Sequence, residues 1–341
     1  MRSGLARAAV GLAACTMIAA ACNRAEETGA GGEQGGEAPQ ITIGAVSGSA
    51  ANPAVQVMND AMEERAEEVG VELLVETSEG VEEQIEKAEA MIAQGVDYLG
   101  LHPWDGEAVV PVVTNADAQG IKTVILIDGV PGVIEEGKAL TFISGNEVEA
   151  AQEIGARVAD QYPDAQVAII TGTPGNLSAE NRTNGFKTGV EGSGVQIVAE
   201  GPANWARDEA LRVAGDMINA HPDLDVIFAN NDEMAFGALQ AASEAGKEQI
   251  DIIGWNGTCV GLESLLNGDF VLEAVLPFDV FGSGLIDAAV DDSAGREVPP
   301  TIEPEVPVLT PEEAQAILDG EQEANDVLVS RLEEASAGQC E

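Results

Sequence analysis

The chain has 341 residues, enough for two domains of ordinary size, and 45% of them are hydrophobic, so each domain can bury a core. Lys and Arg number 15 against 60 Asp and Glu, which gives a formal net charge of −45. No basic stripe offsets this charge, and the composition therefore excludes a protein that binds nucleic acid. The acidity is spread along the whole chain and predicts a strongly solvated surface, of a kind that suits a salt-rich habitat.

The N-terminal residues form a predicted targeting segment. Two arginines precede an apolar run over 8–21 that is too short to cross a membrane, so 1–21 is predicted to be a signal peptide. The run ends Ile-Ala-Ala-Ala-Cys at Cys22, which resembles a bacterial lipobox, where the cysteine becomes the lipidated first residue. Cys15 follows the closer local match Leu-Ala-Ala-Cys, but only a very short apolar run precedes it. Cys22 is the predicted lipidation site, and secretion without a lipid is the alternative.

Residues 22–39 follow as a Gly- and Glu-rich stretch with no apolar periodicity, which predicts a flexible tether behind the lipidated cysteine. Cys259 and Cys340 are the other two cysteines, and an oxidising compartment would allow them to pair. The sequence does not fix the distance between them. No motif for a cofactor or a metal is present, and the acidic, weakly helical tail 321–341 has no assigned role.

From residue 41, short apolar runs alternate with amphipathic stretches. The predicted strands are 41–46, 71–75, 97–101, 122–127, 139–143, 166–171, 195–199, 225–229, 250–254, 270–276 and 306–309. The predicted helices are 53–69, 81–92, 106–119, 147–161, 178–191, 206–220, 233–245, 260–267, 280–292 and one that opens at 311.

Several predicted strands, such as TVILI at 123–127 and QVAII at 166–170, are apolar at nearly every position. This pattern is typical of parallel strands covered on both faces. The two successive βα series predict an α/β protein with two doubly wound, Rossmann-like domains. Such sheets bind ligands at the carboxyl ends of their strands. All three tryptophans lie in loops at those ends, at Trp104, Trp205 and Trp255.

Six segments between residues 44 and 258 carry a family resemblance: GAVSGSAANP at 44–53, AMIAQGVDYLGLHPWD at 90–105, GF at 185–186, PANW at 202–205, FANNDEMAFGAL at 228–239 and IIGWNGT at 252–258. In this order they resemble the ribose-binding protein family, the periplasmic sugar-binding components of ABC importers. The resemblance implies two domains joined by three crossover hinge strands, with the ligand in the cleft between them. It places the first domain at 40–143 plus 277–304 and the second at 144–276 plus 305–320, and closure would be a hinge motion.

The family's cleft holds sugar hydroxyls with polar side chains and the C–H faces of the ring with aromatic walls. Four positions of this chain match its polar pocket residues: Asn52, Asp128, Arg182 and Asn231. Trp205 replaces a pocket aromatic residue, and Trp255 and Asn256 replace a Phe-Asp pair. The alternative roles are a turn at Asn52, a helix or turn cap at Asp128 and a surface position at Arg182.

The chain also departs from the family pattern. Ala54 and Val55 stand where the family has two aromatic residues, so one stacking wall is lost. Gly129 replaces an Arg, Glu147 an Asn in the first hinge loop, and Leu276 a Gln at the second hinge. A buried polar group that loses its partner costs about 1–3 kcal/mol, so these changes alter which hydroxyls are accepted, and ribose is not predicted.

Trp104 carries an inference that the family does not supply. It follows the third strand of the first domain, whereas Trp205 and Trp255 belong to the second domain. Trp104 is therefore predicted to restore the wall lost at Ala54 and Val55, and packing on the domain edge is the alternative.

The predicted function is a substrate-binding lipoprotein that captures a monosaccharide or polyol and delivers it to an ABC permease. The protein is expected to be a monomer in the periplasm or on the cell surface, anchored by its lipid. A module that signals to a chemoreceptor or sensor kinase has the same site and is the alternative. No motif of an enzyme is present; a carboxylate pair of Asp128 and Glu147, as in sugar hydrolysis, is the one enzymatic alternative.

Overall fold

The computed structural model describes residues 40–340. Its strands are β1 Thr42–Ser47, β2 Glu72–Thr77, β3 Tyr98–Leu101, β4 Lys122–Leu126, β5 Ala139–Ile143, β6 Gln166–Thr171, β7 Gln196–Pro202, β8 Val226–Ala229, β9 Asp251–Asn256, β10 Leu272–Val275, β11 Thr301–Ile302 and β12 Val308–Leu309. Its helices are α1 Pro53–Val69, α2 Val81–Gln94, α3 Gly106–Ala118, α4 Glu147–Gln161, α5 Leu177–Gly189, α6 Arg207–Ala220, α7 Asp232–Glu244, α8 Cys259–Asn267, α9 Phe278–Ser293, α10 Pro311–Leu318 and α11 Asp326–Ser336. The sequence pattern predicts all of these except β11, which is too short to show a period, and α11, which lies in the tail that the sequence marks only as weakly helical.

The strands form two six-stranded sheets, in the orders β11-β5-β4-β3-β1-β2 and β12-β10-β9-β8-β6-β7. All neighbours in the first sheet are parallel, and β12 is the antiparallel edge strand of the second. We call the part built on the first sheet lobe 1 and the part built on the second lobe 2. The predicted α/β class with two Rossmann-like sheets is confirmed.

The chain passes between the lobes three times, after β5, after β10 and between β11 and β12. Helix α9 follows the second passage and packs on α1, so it belongs to lobe 1. Two of the passages are bonded to each other, because Ser144 N donates to Ile302 O at 3.1 Å and Val306 N donates to Asn146 Oδ1 at 2.8 Å. These bonds hold the crossing strands side by side. The domain bounds stay a prediction.

Polar residues that follow the strands begin the helices around the sheet ends. In each case a side-chain oxygen accepts a hydrogen bond from a backbone amide in the first turn, which is worth about 1 kcal/mol per helix. The residues are Asn52, Asp105, Asn176, Asn231 and Thr258. These caps fix the short loops in which the functional side chains were predicted.

A disulfide closes the C-terminal tail onto lobe 2. Cys340 pairs with Cys259 at the start of α8, across a separation of 81 residues. Helix α11 buries Leu328 and Leu332 in the core of lobe 2. The tail is therefore an ordered part of the fold.

The same tail also contacts the second passage between the lobes. Arg331 of α11 donates to the carbonyl of Leu276 at 2.9 Å and forms an ion pair with Asp279 on α9 of lobe 1. The tail of lobe 2 thus touches lobe 1 beside the hinge. Cys22 and the predicted tether lie outside the described residues. Between 40 and 340 no helix is both long and apolar enough to span a membrane.

Two buried carboxyl groups meet under the loop after β9. Asp232 accepts hydrogen bonds from the amides of Trp255 and Thr258, at 3.1 and 2.9 Å. Glu273 accepts one from the amide of Gly257 at 2.7 Å and is fully buried. Burial, and then the charge of Asp232, raise the pKa of Glu273 well above its usual range.

We expect Glu273→Gln to stabilise the protein at neutral pH. A carboxyl group whose pKa is raised by folding contributes stability that is complete below its unfolded pKa and is lost as the pH rises through its folded pKa. The amide keeps the hydrogen bonds and never ionises, so the gain should be absent near pH 4.5 and should grow toward pH 8. Thermal unfolding of both proteins across this range measures it, and each kcal/mol raises the midpoint by about 2–4 °C.

The exposed Glu149→Gln is the matched control and should leave the difference flat with pH. A gain for Glu273→Gln that is largest at acid pH would contradict the assignment.

Candidate functional site

A cavity of about 800 Å³ lies between the loops at the carboxyl ends of both sheets. Lobe 1 contributes the loops after β1, β2, β3 and β4, and lobe 2 those after β6, β7, β8 and β9. The volume falls in the range of pockets that enclose small molecules. The position is the one predicted from the strand ends.

Seven of the nine predicted site residues line this cavity: Asn52, Trp104, Asp128, Arg182, Trp205, Asn231 and Asn256. The structure does not place Glu147 or Trp255 on its wall. Trp255 is fully buried in the core against Phe228, at 6.2 Å between ring centroids. Glu147 is also buried, behind the side chain that it binds.

That side chain is Arg182, which organises the floor of the cavity. Its Nε donates to Glu147 Oε1 at 3.1 Å, its Nη2 donates to the same oxygen, and its Nη1 donates to Asn230 O at 2.7 Å. The guanidinium also lies over two indole rings, 4.9 Å from the centroid of Trp255 and 5.5 Å from that of Trp205. Glu147 and Trp255 thus act on the cavity through the orientation of Arg182.

Asp128 joins the two lobes across the cleft. Its Oδ1 accepts a hydrogen bond from the Ser178 amide at 2.8 Å, in the first turn of α5. Its Oδ2 lies 3.4 Å from Nε2 of His102. Burial by itself raises the pKa of Asp128, but His102, the Ser178 amide and the charge of Arg182 together lower it. Asp128 is therefore an ionised carboxylate on the cavity wall at neutral pH.

Glu147 behaves in the opposite way. Burial raises the pKa of Glu147, and the charge of Asp128 adds to this effect against the attraction of Arg182. One of its oxygens, Oε2, has no hydrogen-bond partner in the described structure. The charge of one buried guanidinium, that of Arg182, thus acts on two buried carboxyl groups, Asp128 and Glu147.

Asn52 and Asn231 each have two roles, one as a helix cap and one on the cavity wall. Each caps a helix through Oδ1, Asn52 to the amide of Ala54 at 3.1 Å and Asn231 to that of Met234 at 2.9 Å. Each also lines the cavity. Asn231 Nδ2 further donates to Trp205 O at 3.2 Å. The caps hold both amides at fixed positions in the wall.

Two tryptophans form walls on opposite lobes. Trp104 Nε1 donates to Ser78 Oγ at 3.1 Å and its amide nitrogen donates to Gln84 Oε1 at 3.1 Å, so lobe 1 holds the ring in place. The ring of Trp205 covers Gly172 so closely that a Cβ there would overlap it. Gly172 is thus required for the position of the ring.

Strained backbone is concentrated at the cavity. Within 40–340, four residues other than glycine have positive φ: Ile127 at 64°, Asn204 at 48°, Trp205 at 65° and Asn256 at 131°. All four line the cavity. Bulky or β-branched residues rarely adopt such angles, which cost about 1–3 kcal/mol each and cluster where ligands bind.

Sequence reasoning missed three polar residues of the site. His102 and Ser178 line the cavity, and Asn230 lies directly under Arg182. His102 and Asn230 each directly follow a strand, as Asp128 does, so their position at the strand ends was a signal that the sequence offered. Ser178 lies on a helix and gives no such signal. Buried side-chain atoms without a hydrogen-bond partner cluster here: His102 Nδ1, Ser178 Oγ, Asn230 Nδ2, Asn256 Oδ1 and Glu147 Oε2.

Comparison with known proteins agrees with this architecture. Residues 43–285 match the model of the periplasmic binding protein domain. The ribose import binding protein of Bacillus subtilis is 30% identical over 78% of this chain and 86% of its own length.

Two solved ABC transporter solute-binding proteins share the fold. One from Bacillus halodurans, with bound myo-inositol, is 26% identical, with a TM-score of 0.76 over 84% of this chain and 99% of its own. One from Actinobacillus succinogenes, with bound D-allose, is 25% identical, with a TM-score of 0.76 over 81% of this chain and 99% of its own. The family match covers most of the chain, and with it strands β1 to β10 and the cavity between the sheets: the chain belongs to the periplasmic binding protein family.

Proposed function

We propose that this protein captures a monosaccharide or polyol in the cleft and delivers it to an ABC-type importer. The observation that carries the proposal is the cluster of buried, unpartnered polar atoms at a cavity with two indole walls. Each such atom costs about 1–3 kcal/mol until a partner arrives, and a molecule with many hydroxyls supplies several partners at once. The sugar and polyol ligands of the similar proteins support the same class of ligand.

Family membership makes the chain a binding protein rather than an enzyme. Asp128 and Glu147, the one carboxylate pair with a hydrolytic alternative, are committed to other contacts. Asp128 bonds to α5 of the opposite lobe, and Glu147 holds Arg182. Both positions suit recognition and closure.

A thermal-shift screen of residues 40–341 tests the proposal. The panel contains pentoses, hexoses, inositols and linear polyols, at moderate and at high salt, because a chain of net charge −45 repels itself at low salt. A ligand that binds only the folded state raises the free energy of unfolding by mass action, by about 2.7 kcal/mol at a concentration of 100 Kd. The midpoint of thermal unfolding rises with it. A folded protein that no member of the panel stabilises at either salt would contradict the proposed class.

We expect Trp104→Ala to weaken binding of the panel's best ligand about 2- to 10-fold, because the indole wall contributes about 0.5–1.5 kcal/mol. Titration calorimetry measures the loss. Trp104→Phe is the matched control: it keeps a ring without the hydrogen bond to Ser78 and should retain most of the affinity. Equal affinity of Trp104→Ala and the parent would assign Trp104 to edge packing instead.

We further propose that Cys22 carries a lipid, that 22–39 tethers a monomeric binding protein to the membrane, and that an ABC permease receives the ligand. The signal-like sequence before Cys22 supports this, and mass spectrometry of the mature N-terminus tests it. Transfer to a chemoreceptor or sensor kinase is the second candidate partner. Co-purification of ligand-loaded protein with solubilised membrane proteins distinguishes the two.

A further inference from the structure

The floor of the cleft holds two buried carboxyl groups and one buried guanidinium. Asp128, Glu147 and Arg182 are exposed by 4%, 2% and 3%, so all three are removed from water. Arg182 is bonded to Glu147, and its charge also acts on Asp128. Two carboxyl groups therefore face one guanidinium, in a place where charges are ordinarily paired.

No second permanent cation on the described wall is free to face the two carboxyl groups. Among the residues that line the cavity, the second arginine is Arg207, and it is held in an ion pair with Glu233. The other charged wall residues are the carboxylates Glu79, Asp105 and Asp208. His102 faces Asp128 at 3.4 Å and would balance the charge only when it holds a proton.

We infer that the cleft selects ligands that carry an ammonium group, amino sugars or amino polyols, over their neutral parents and over sugar acids. The inference rests on the proposed function and narrows its ligand class. The ammonium would lie against Asp128, whose carboxylate is on the wall, and would give the two buried carboxyl groups a second cation. The hydroxyls of the same ligand would bond to Asn256 Oδ1 and Ser178 Oγ, which are buried, unpartnered and on the cavity wall.

Matched pairs of ligands test the inference. D-glucose with D-glucosamine, D-galactose with D-galactosamine, and scyllo-inositol with its monoamine are titrated at pH 7, with D-glucuronate as the anion. At least one amine should bind about tenfold or more tightly than its parent, as expected for a charge pair in a site of low dielectric, and the acid should bind weakest. Parents that bind as well as or better than their amines would overturn the inference and leave the proposed function standing. A folded protein that binds no member would overturn both.

Variants separate the buried cluster from the general acidity of the chain. Glu147→Gln removes one buried carboxyl and should bring the ratio of amine to parent affinity toward one. Glu149→Gln makes the same change at an exposed position on the same helix and should leave the ratio as it is. His102→Gln removes the wall side chain that competes with the ammonium whenever it holds a proton, and the ratio should hold or rise.

Salt supplies a measurement on the unaltered protein. A preference that comes from surface charge is screened in 1 M KCl, where the Debye length is about 3 Å, whereas one that comes from the buried cluster persists. Loss of the preference in high salt, together with no response to Glu147→Gln, would assign it to the surface and overturn the inference.

Discussion

Replacing Arg182 with Met should abolish ligand binding and lower the free energy of unfolding by about 3–5 kcal/mol at pH 7. The substitution leaves Glu147 buried without its partner and removes the donor to Asn230 O. It also removes the cation–π contacts of the guanidinium with the rings of Trp205 and Trp255. Urea unfolding gives the stability, and titration calorimetry with the best ligand of the panel gives the affinity.

A double variant separates these two effects. Arg182→Met combined with Glu147→Leu replaces the buried ion pair with apolar side chains, an exchange that is often neutral for stability. It should be clearly more stable than Arg182→Met alone and should still fail to bind. Arg296→Met breaks an exposed ion pair with Asp291 and should change stability by less than about 0.5 kcal/mol. A double variant that binds normally would remove Arg182 from the site.

Removing the disulfide with Cys259→Ser and Cys340→Ser should lower the free energy of unfolding by about 2–4 kcal/mol. The bond closes a long loop, with a sequence separation of 81 between its ends, and so restricts the unfolded chain strongly. Neither cysteine lines the cavity, so affinity should change little. Urea unfolding of the variant and of the parent, with and without a thiol reductant, measures the effect.

The reduced parent should match the variant. A variant as stable as the oxidised parent would mean that α11 holds the tail through Leu328 and Leu332 alone. A large loss of affinity would instead show that the tail controls the hinge, where Arg331 contacts Leu276.

The fold could be predicted because its signals are local. Apolar strands such as 166–170 show burial on both faces, and helices of 13 to 17 residues such as α1 and α5 show their period. The strand β11 has two residues, and its pairing with β5 depends on a distant chain crossing. The disulfide depends on the same kind of long-range geometry, which the spacing of cysteines does not contain.

The site was predictable at the level of residue types, and the contacts were not. The family resemblance identifies Asp128 and Asn231, but it does not show that Asp128 bonds to the amide of Ser178 on the opposite lobe. The motif around Trp255 predicts an aromatic wall, whereas tertiary packing buries the ring under Arg182. Contacts between residues of two distant chain segments can be identified only from the three-dimensional arrangement of the lobes.

The positive φ angles at Ile127, Asn204, Trp205 and Asn256 have a consequence for how this protein evolves. Glycine adopts such angles without steric cost, so the backbone conformation by itself would favour glycine at all four positions. Side chains at these positions therefore cost folding free energy and supply contacts for recognition, a trade-off between stability and function. The stability of the two buried sheets offsets the backbone strain in these loops. Ligand preference can then shift by exchanges in the loops, while the strands beneath them stay as they are.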